Sequence, residues 1–160
     1  IIVVSSKCHG IYLIDFEYGK VNDFNIDERF PIKLFFDKNV IDKFELKKVK
    51  QEQMTSIASN SKTGLLVCGF SDGLLCVWDL KYVLEESIIK SKFIYGCDKY
   101  VLFLDYVHSA VIHFIEFNVN SNYFLTGSID GTVLVWKIHD QIIQQIRKDD
   151  KFTGKYVESD

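Results

Sequence analysis

The stretch HSAVIHFIEFNVNSNYFLTGSIDGTVLVWKI, residues 108–138, decides how the rest of the chain is read, because residues 50–80, KQEQMTSIASNSKTGLLVCGFSDGLLCVWDL, lie over it without a gap. The offset is 58 residues, and seven positions are identical: Ile57 with Ile115, Asn60 with Asn118, Gly69 with Gly127, Asp72 and Gly73 with Asp130 and Gly131, and Val77 and Trp78 with Val135 and Trp136. Self-similarity at a period of tens of residues marks repeated units, none of which can bury its apolar faces alone. In the later copy, residues 112–117 read as a strand, 118–122 as a polar turn, 123–126 as a second strand, 127–131 as a tight turn and 132–138 as a third strand. Aspartate followed by glycine suits a hairpin turn that needs positive φ. A fourth strand per unit is expected outside the copies.

The earlier copy contains GFSDG, residues 69–73, which fits the glycine-x-serine-x-glycine pattern of a hydrolase nucleophile. That pattern requires the serine on a strand-to-helix turn, with an acid and a histidine later in the chain. Residues 74–80, LLCVWDL, are apolar, β-branched or aromatic and read as a strand. Ser71 meets Ile129 in the later copy, so the turn and the tryptophan are what repeat, and the serine is incidental.

At 160 residues, 48% hydrophobic and 26% charged, the chain is long enough and apolar enough for one well-buried domain. A net charge of -3 supplies no overall attraction for nucleic acid. The most apolar stretch, residues 100–117, is interrupted by Asp105, His108, His113 and Glu116, too polar for a membrane span. The chain opens IIVVSS, without methionine or a signal peptide, and so reads as a piece of a longer protein. Four cysteines, at 8, 68, 76 and 97, form no C-x-x-C pair, which favours reduced thiols inside a cell and argues against a metal site. No metal-, phosphate- or dinucleotide-binding motif is present, so no cofactor and no catalytic residues are expected.

Residues 108–138, with an opening histidine, a glycine-serine-x-aspartate turn and a closing tryptophan, resemble a repeat of the WD-repeat β-propellers. LLVCGFSDGLLCVWDL resembles a second, with Trp78-Asp79, and IIVVSSKCHGIYLIDFEYGK the tail of a third, in which Ile14-Asp15 replaces Trp-Asp. The resemblance implies an all-β fragment of a propeller with about three four-stranded antiparallel blades and insertions. The units would be a degenerate repeat at 1–49, a second repeat with a long insertion at 50–107, the best-preserved repeat at 108–146 and a polar segment at 147–160. It further implies a structural hydrogen-bond relay of His108, Thr126, Asp130 and Trp136, with Ser128 as a substitute for Thr126. The earlier copy keeps Asp72, Gly73, Trp78 and Asp79 but has Lys50 for the histidine and Cys68 for the hydroxyl, so apolar packing must hold it.

Repeats of this type run about 40–45 residues, whereas here the copies are 58 apart and Asp15 lies 64 before Asp79. Extra residues therefore lie before Lys50 and between Leu80 and His108, in segments rich in phenylalanine, tyrosine, isoleucine and lysine that are expected to form hairpins or extended outer strands. Insertions in repeat folds emerge on one face, often the binding face, which makes Phe35, Phe36, Phe44, Phe93 and Tyr95 candidate partner contacts. Three function classes follow. The first is a scaffold that binds other proteins in a multi-subunit complex. The second is an RNA-binding module using Lys43, Lys47, Lys48 and Lys50 among Phe44, Leu46 and Val49, a run that is more simply a solvated strand face. The third is a hydrolase using Ser71. The order IYLIDFEYGK, VCGFSDGLLCVWDLKYVLEES, HSAVIHF, TGSIDGTVLVWKI is also similar to the WD-repeat subunit of the complex that processes large-subunit pre-ribosomal RNA. That similarity implies a non-catalytic role in ribosome assembly. The expected location is the nucleus or the cytoplasm.

Overall fold

A computed structural model describes residues 2–6, 10–14, 32–34, 38–46, 53–81, 100–120, 122–139 and 142–149. The described residues form three antiparallel sheets. Sheet I pairs β1 (Ile2–Ser6), β2 (Gly10–Ile14) and β3 (Ile32–Leu34). Sheet II pairs β4 (Met54–Asn60), β5 (Leu65–Phe70), β6 (Leu74–Asp79) and β7 (Val101–Tyr106) in that order. Sheet III pairs β8 (Ile112–Phe117), β9 (Tyr123–Ser128), β10 (Val133–His139) and β11 (Ile142–Asp149) in the same order. The architecture is all-β, with four strands in sheets II and III and three in sheet I among the described residues.

Each four-stranded sheet takes three strands from a copy of the repeat and one from beyond it. β7 and β11 are those outer strands, and they pair with β6 and β10. The inner hairpins match the sequence period: Gly69 pairs opposite Leu75, and Gly127 opposite Val133. Gly73 and Gly131 hold the turns at φ of 85° and 82°, where a side chain would be strained.

Burial separates the two sheets. Every residue of β5 and β6 is buried, whereas β9 and β10 alternate. The reason is that sheet II is covered on both faces. On one, Leu65, Val67, Leu75 and Val77 pack against Ile112, Phe124, Leu134 and Trp136 of sheet III. On the other, Leu66, Cys68, Phe70, Leu74, Cys76 and Trp78 form a layer with Tyr100, Val101, Leu104 and Val40. Side chains in such layers alternate across a strand, which is why continuous apolar runs such as LLVCGF and LLCVWD suit a sheet with two buried faces.

The insertion before Lys50 supplies the outer strand β3, as expected, but then departs from the expected hairpins and strands. Residues Lys38–Lys43 form the helix α1. Val40 and Phe44 are four apart, so one side of the turn carries both, and Val40 is fully buried on sheet II while Phe44 and Leu46 pack half-buried beside it. The helix closes in a Schellman-type cap: Leu46 N–H donates to Ile41 at 3.2 Å, Glu45 N–H donates to Asp42 at 3.1 Å, and Glu45 takes a φ of 55°. The apolar spacing expected to make strands is here a helical face. Of the second insertion, β7 is an outer strand as expected, and residues 82–99 lie outside the described residues.

Candidate functional site

Strand β9 ends and β10 begins at the turn that carries Ser128, Asp130 and Thr132, and the chain entering β8 lays His108 and Ser109 across it. Trp136 Nε1 donates to the Thr126 hydroxyl at 3.1 Å, and that hydroxyl lies 2.8 Å from His108 Nε2. His108 Nδ1 lies 2.8 Å from the Thr132 hydroxyl and 3.2 Å from Asp130 Oδ2. Asp130 also accepts the Ser109 amide at 2.9 Å, the Thr132 amide at 2.9 Å and the Thr132 hydroxyl at 2.6 Å.

Donor accounting sets the protons. Indole N–H can only donate, so Trp136 leaves the Thr126 proton to His108 Nε2, the remaining acceptor within reach among the described residues. Nε2 then accepts, and Nδ1 carries the proton that faces Asp130 and Thr132. Burial works against the charge on Asp130, but hydrogen bonds from Thr132 and Ser109 and the attraction of His108 together outweigh it and hold the carboxyl well below the usual carboxylate range.

An acid, an imidazole and a hydroxyl in line have the outline of a nucleophile triad. Thr126 is fully buried, however, and its oxygen already receives the indole N–H. Phe124 stacks on Trp136 with centroids 5.8 Å apart, and Phe103 of sheet II meets its edge at 5.1 Å. The hydroxyl is closed to a substrate by this packing. What the arrangement does is satisfy each buried polar atom and so specify one packing.

Ser128 stands apart from this chain of bonds: its hydroxyl donates to the Ala110 carbonyl at 3.2 Å and accepts the Asp130 amide at 3.2 Å, tying the turn to the segment before β8. Thr132, which the repeat pattern did not single out, occupies the place beside His108. Its position two residues after Asp130, where an Asx turn would use it, was the available signal.

In sheet II the corresponding turn holds Asp72 and Gly73. Asp72 Oδ1 accepts the Leu74 amide at 3.2 Å, and Oδ2 is buried with no hydrogen-bond partner among the described residues. The positions equivalent to His108 and Ser109 are Lys50 and Gln51, which lie outside the described residues. Cys68, at the position of Thr126, is fully buried, and desolvation pushes its thiol well up. Trp78 is buried in the same layer, and the buried Asp79 donates its amide to Tyr100 at 2.9 Å.

Ser71 sits in the hairpin turn between β5 and β6, its amide donating to Gln53 at 2.9 Å. A strand follows it, so the strand-to-helix elbow is not formed. Of the candidate contacts, Phe44 is half-buried against sheet II, and Phe35, Phe36, Phe93 and Tyr95 lie outside the described residues. Lys43 donates to the Val101 carbonyl at 3.4 Å and lies 5.3 Å from the Phe44 ring centre, while Lys47, Lys48 and Lys50 lie outside the described residues. Among the described residues, no group of three or more His, Cys, Asp or Glu could hold a metal ion, and no helix is long and apolar enough to cross a membrane.

Comparison with known families matches residues 45–79 and 99–137 to the WD domain, G-beta repeat. The second match begins at the outer strand of sheet II and ends in β10, so the family's unit is offset by one strand from the sheet. No curated protein matches the sequence. Among solved structures, the β-propeller domain of Cps50 (Swd1) from Myceliophteria thermophila is similar, at 13% identity and a TM-score of 0.44, over 60% of this chain and 28% of that one. The chain thus spans under a third of that propeller's length. The two matches fall on the two four-stranded units, each of which is thus similar to a WD repeat.

Proposed function

We propose that this chain is part of a non-catalytic platform that binds other proteins in a multi-subunit complex. The observation that carries the reading is the use made of its most reactive-looking side chains: His108, Asp130 and Thr126 are consumed in internal hydrogen bonds beneath Trp136. WD repeats suggest the same role, although a fold alone does not specify a partner. The order of the motifs along the chain points further, to a nuclear role in assembling the large ribosomal subunit and processing its RNA. Its supporting feature is the apolar VWDL..VL segment, followed by an insertion and a histidine-led repeat.

The test is affinity purification of the full-length protein from native extract, with and without nuclease, read by mass spectrometry. Recovery of large-subunit assembly factors that survives nuclease is the expected result. An unrelated stable complex would retain the platform and discard the ribosomal assignment. Recovery of no stoichiometric protein partner would overturn the platform itself.

A further inference from the structure

Cys68 of β5 and Cys76 of β6 stand directly opposite each other in the antiparallel register of sheet II. Side chains at opposed positions share a face, and both thiols are free, fully buried and part of the layer that holds Leu66, Phe70, Leu74, Trp78 and Val40. The matching pair in sheet III is Thr126 opposite Leu134. An apolar layer accounts for a thiol in place of Thr126, but not for one in place of Leu134, since a leucine fills more volume and removes more surface from water. What the second thiol adds is a partner for the first.

Opposed residues of an antiparallel pair have Cα atoms about 4.5 or 5.5 Å apart, depending on the hydrogen-bond pattern. A disulfide spans about 4.4–6.8 Å between Cα atoms, so Cys68 and Cys76 can be bridged without moving either strand. At rest the pair is silent. Burial pushes both thiols well up, with Cys68 adding to the effect on Cys76, and the thiolate, which is the reactive form, is suppressed.

The layer has a movable side. Among the described residues, its other members belong to sheet II or adjoin its strands, whereas Val40, with Phe44 and Leu46 half-buried beside it, arrives with α1. The helix has six residues, where an isolated helix needs about 12–15 to hold itself in water. It stays in place by that burial and by contacts such as the 3.4 Å hydrogen bond from Lys43 to the Val101 carbonyl. Short elements docked in this way open at lower free energy than the strands beneath them. Lifting α1 wets the thiols while β5 and β6 remain paired.

We propose that Cys68 and Cys76 are a redox-sensitive pair, which a peroxide converts to a cross-strand disulfide when α1 lifts. One thiol gives up its proton and attacks a peroxide oxygen, breaking the O–O bond to leave a sulfenic acid and water. The second thiol attacks the sulfenic sulfur, forms the S–S bond and releases the hydroxyl as water. Two thiols and one hydrogen peroxide thus yield one disulfide and two waters, with two electrons passing from sulfur to the peroxide. The bond ties together the hairpin on which sheet III rests. On the other face of that hairpin, Ser56 rims a hollow over Gly69, where the Ile112 side chain comes within 2.7 Å of the place a Cβ would occupy. At its tip, the Gly73 carbonyl accepts the Val107 and His108 amides at 3.1 and 3.3 Å, and a Cβ on Gly73 would overlap the His108 carbonyl. Oxidation fixes the two strands that receive the neighbouring sheet.

The test uses the full-length protein with Cys8 and Cys97 changed to serine, treated with hydrogen peroxide under native conditions, alkylated, and cleaved before Asp72 for mass spectrometry. The two cysteines then lie on separate peptides unless a bond joins them. The expected product is the joined pair, short of two hydrogens and separated by a dithiol reductant. Val40→Asp should raise its rate of formation about tenfold, with tryptophan fluorescence and circular dichroism reporting that the strands persist. Should Val40→Asp unfold the protein, Val40→Ala, which thins the cover, should shift the rate the same way. Peroxide treatment that oxidises Ile129→Cys, at a position 59% exposed, yet leaves both buried thiols alkylatable after denaturation would overturn the proposal. So would oxidation that ends as a sulfinic acid on one cysteine, or a bond that appears only as the strands unfold. Formation at a rate indifferent to both Val40 variants would overturn the role given to α1.

Discussion

Sheets II and III have the same strand order and the same aspartate-glycine turn, yet they are held by different physics. Among the described residues, sheet III is covered on one face, and it organises its centre with a satisfied polar chain from Trp136 through Thr126 and His108 to Asp130. Sheet II is covered on both faces and replaces the hydroxyl with the buried thiol of Cys68. In both sheets the tryptophan face lies under an apolar layer, formed for Trp136 by sheet II and for Trp78 by α1 and the residues around Tyr100, so what sets sheet II apart is the cover on its second face. Burial on both sides of β5 and β6 supplies the stability that hydrogen bonding supplies in β9 and β10.

The comparison can be broken most forcefully at the tryptophan. Trp136→Ala removes the residue on which Phe124 stacks and Phe103 abuts, and denaturant unfolding should show a loss of about 3–5 kcal/mol. A loss below about 1 kcal/mol would mean that Trp136 is not a core residue.

Gly73→Ala comes next, because it combines left-handed strain of about 1–2 kcal/mol with overpacking against the His108 carbonyl, about 1–3 kcal/mol more. Gly131→Ala, in the 160-residue chain by itself, should show the strain alone. Equal losses in thermal melts would deny that the chain leading into β8 rests on Gly73.

Thr126→Val tests the polar centre. It leaves buried groups on Trp136 and His108 without their common partner, at about 1–3 kcal/mol for each group left unsatisfied. Cys68→Val, the matching change in sheet II, exchanges one small apolar group for another and should stay under about 1.5 kcal/mol. Similar losses at the two positions would remove the distinction between the sheets.

Acid provides a graded version of the same test. Because the folded carboxyl of Asp130 is held below its ordinary range, the unfolded chain takes up the proton first as pH falls. Its contribution is complete above the unfolded value of about 3.9 and declines as pH drops below it toward the folded value. Melting temperature should therefore fall below about pH 4, and Asp130→Asn should flatten that part of the profile. A profile unchanged by Asp130→Asn would show that the turn does not depend on the ionised group.

The smallest effect is expected at Lys43→Ala. Its ammonium reaches the Val101 carbonyl at 3.4 Å from an exposed position on α1, and the change should stay within about 0.5 kcal/mol. A larger loss would make α1 a more important cover of sheet II than the burial of Val40 suggests.

The repeating unit was legible in the chain alone, as a 58-residue offset, an aspartate-glycine hairpin and a tryptophan closing each copy. These are local matters, set by turn chemistry and by alternation along a strand, and a chain reveals them without its neighbours. The histidine, threonine, aspartate and tryptophan of the later copy were also legible, as polar or amphipathic residues standing in a fixed frame. Thr132 was harder to see, since a threonine two positions beyond an aspartate is common in turns. Where the fourth strands come from was settled by packing, since β7 and β11 lie beyond the copies and pair by contacts that no local period encodes. Packing also made Lys38–Lys43 a helix, whose Val40, with Phe44 just beyond its end, finds an apolar face to cover. It separated Ser56 from Phe114, equivalent in sequence, into the rim of a hollow and a projection, because the approach of Ile112 is what distinguishes them. Local geometry is inherited from neighbours in sequence, whereas burial is conferred by whatever packs across the sheet.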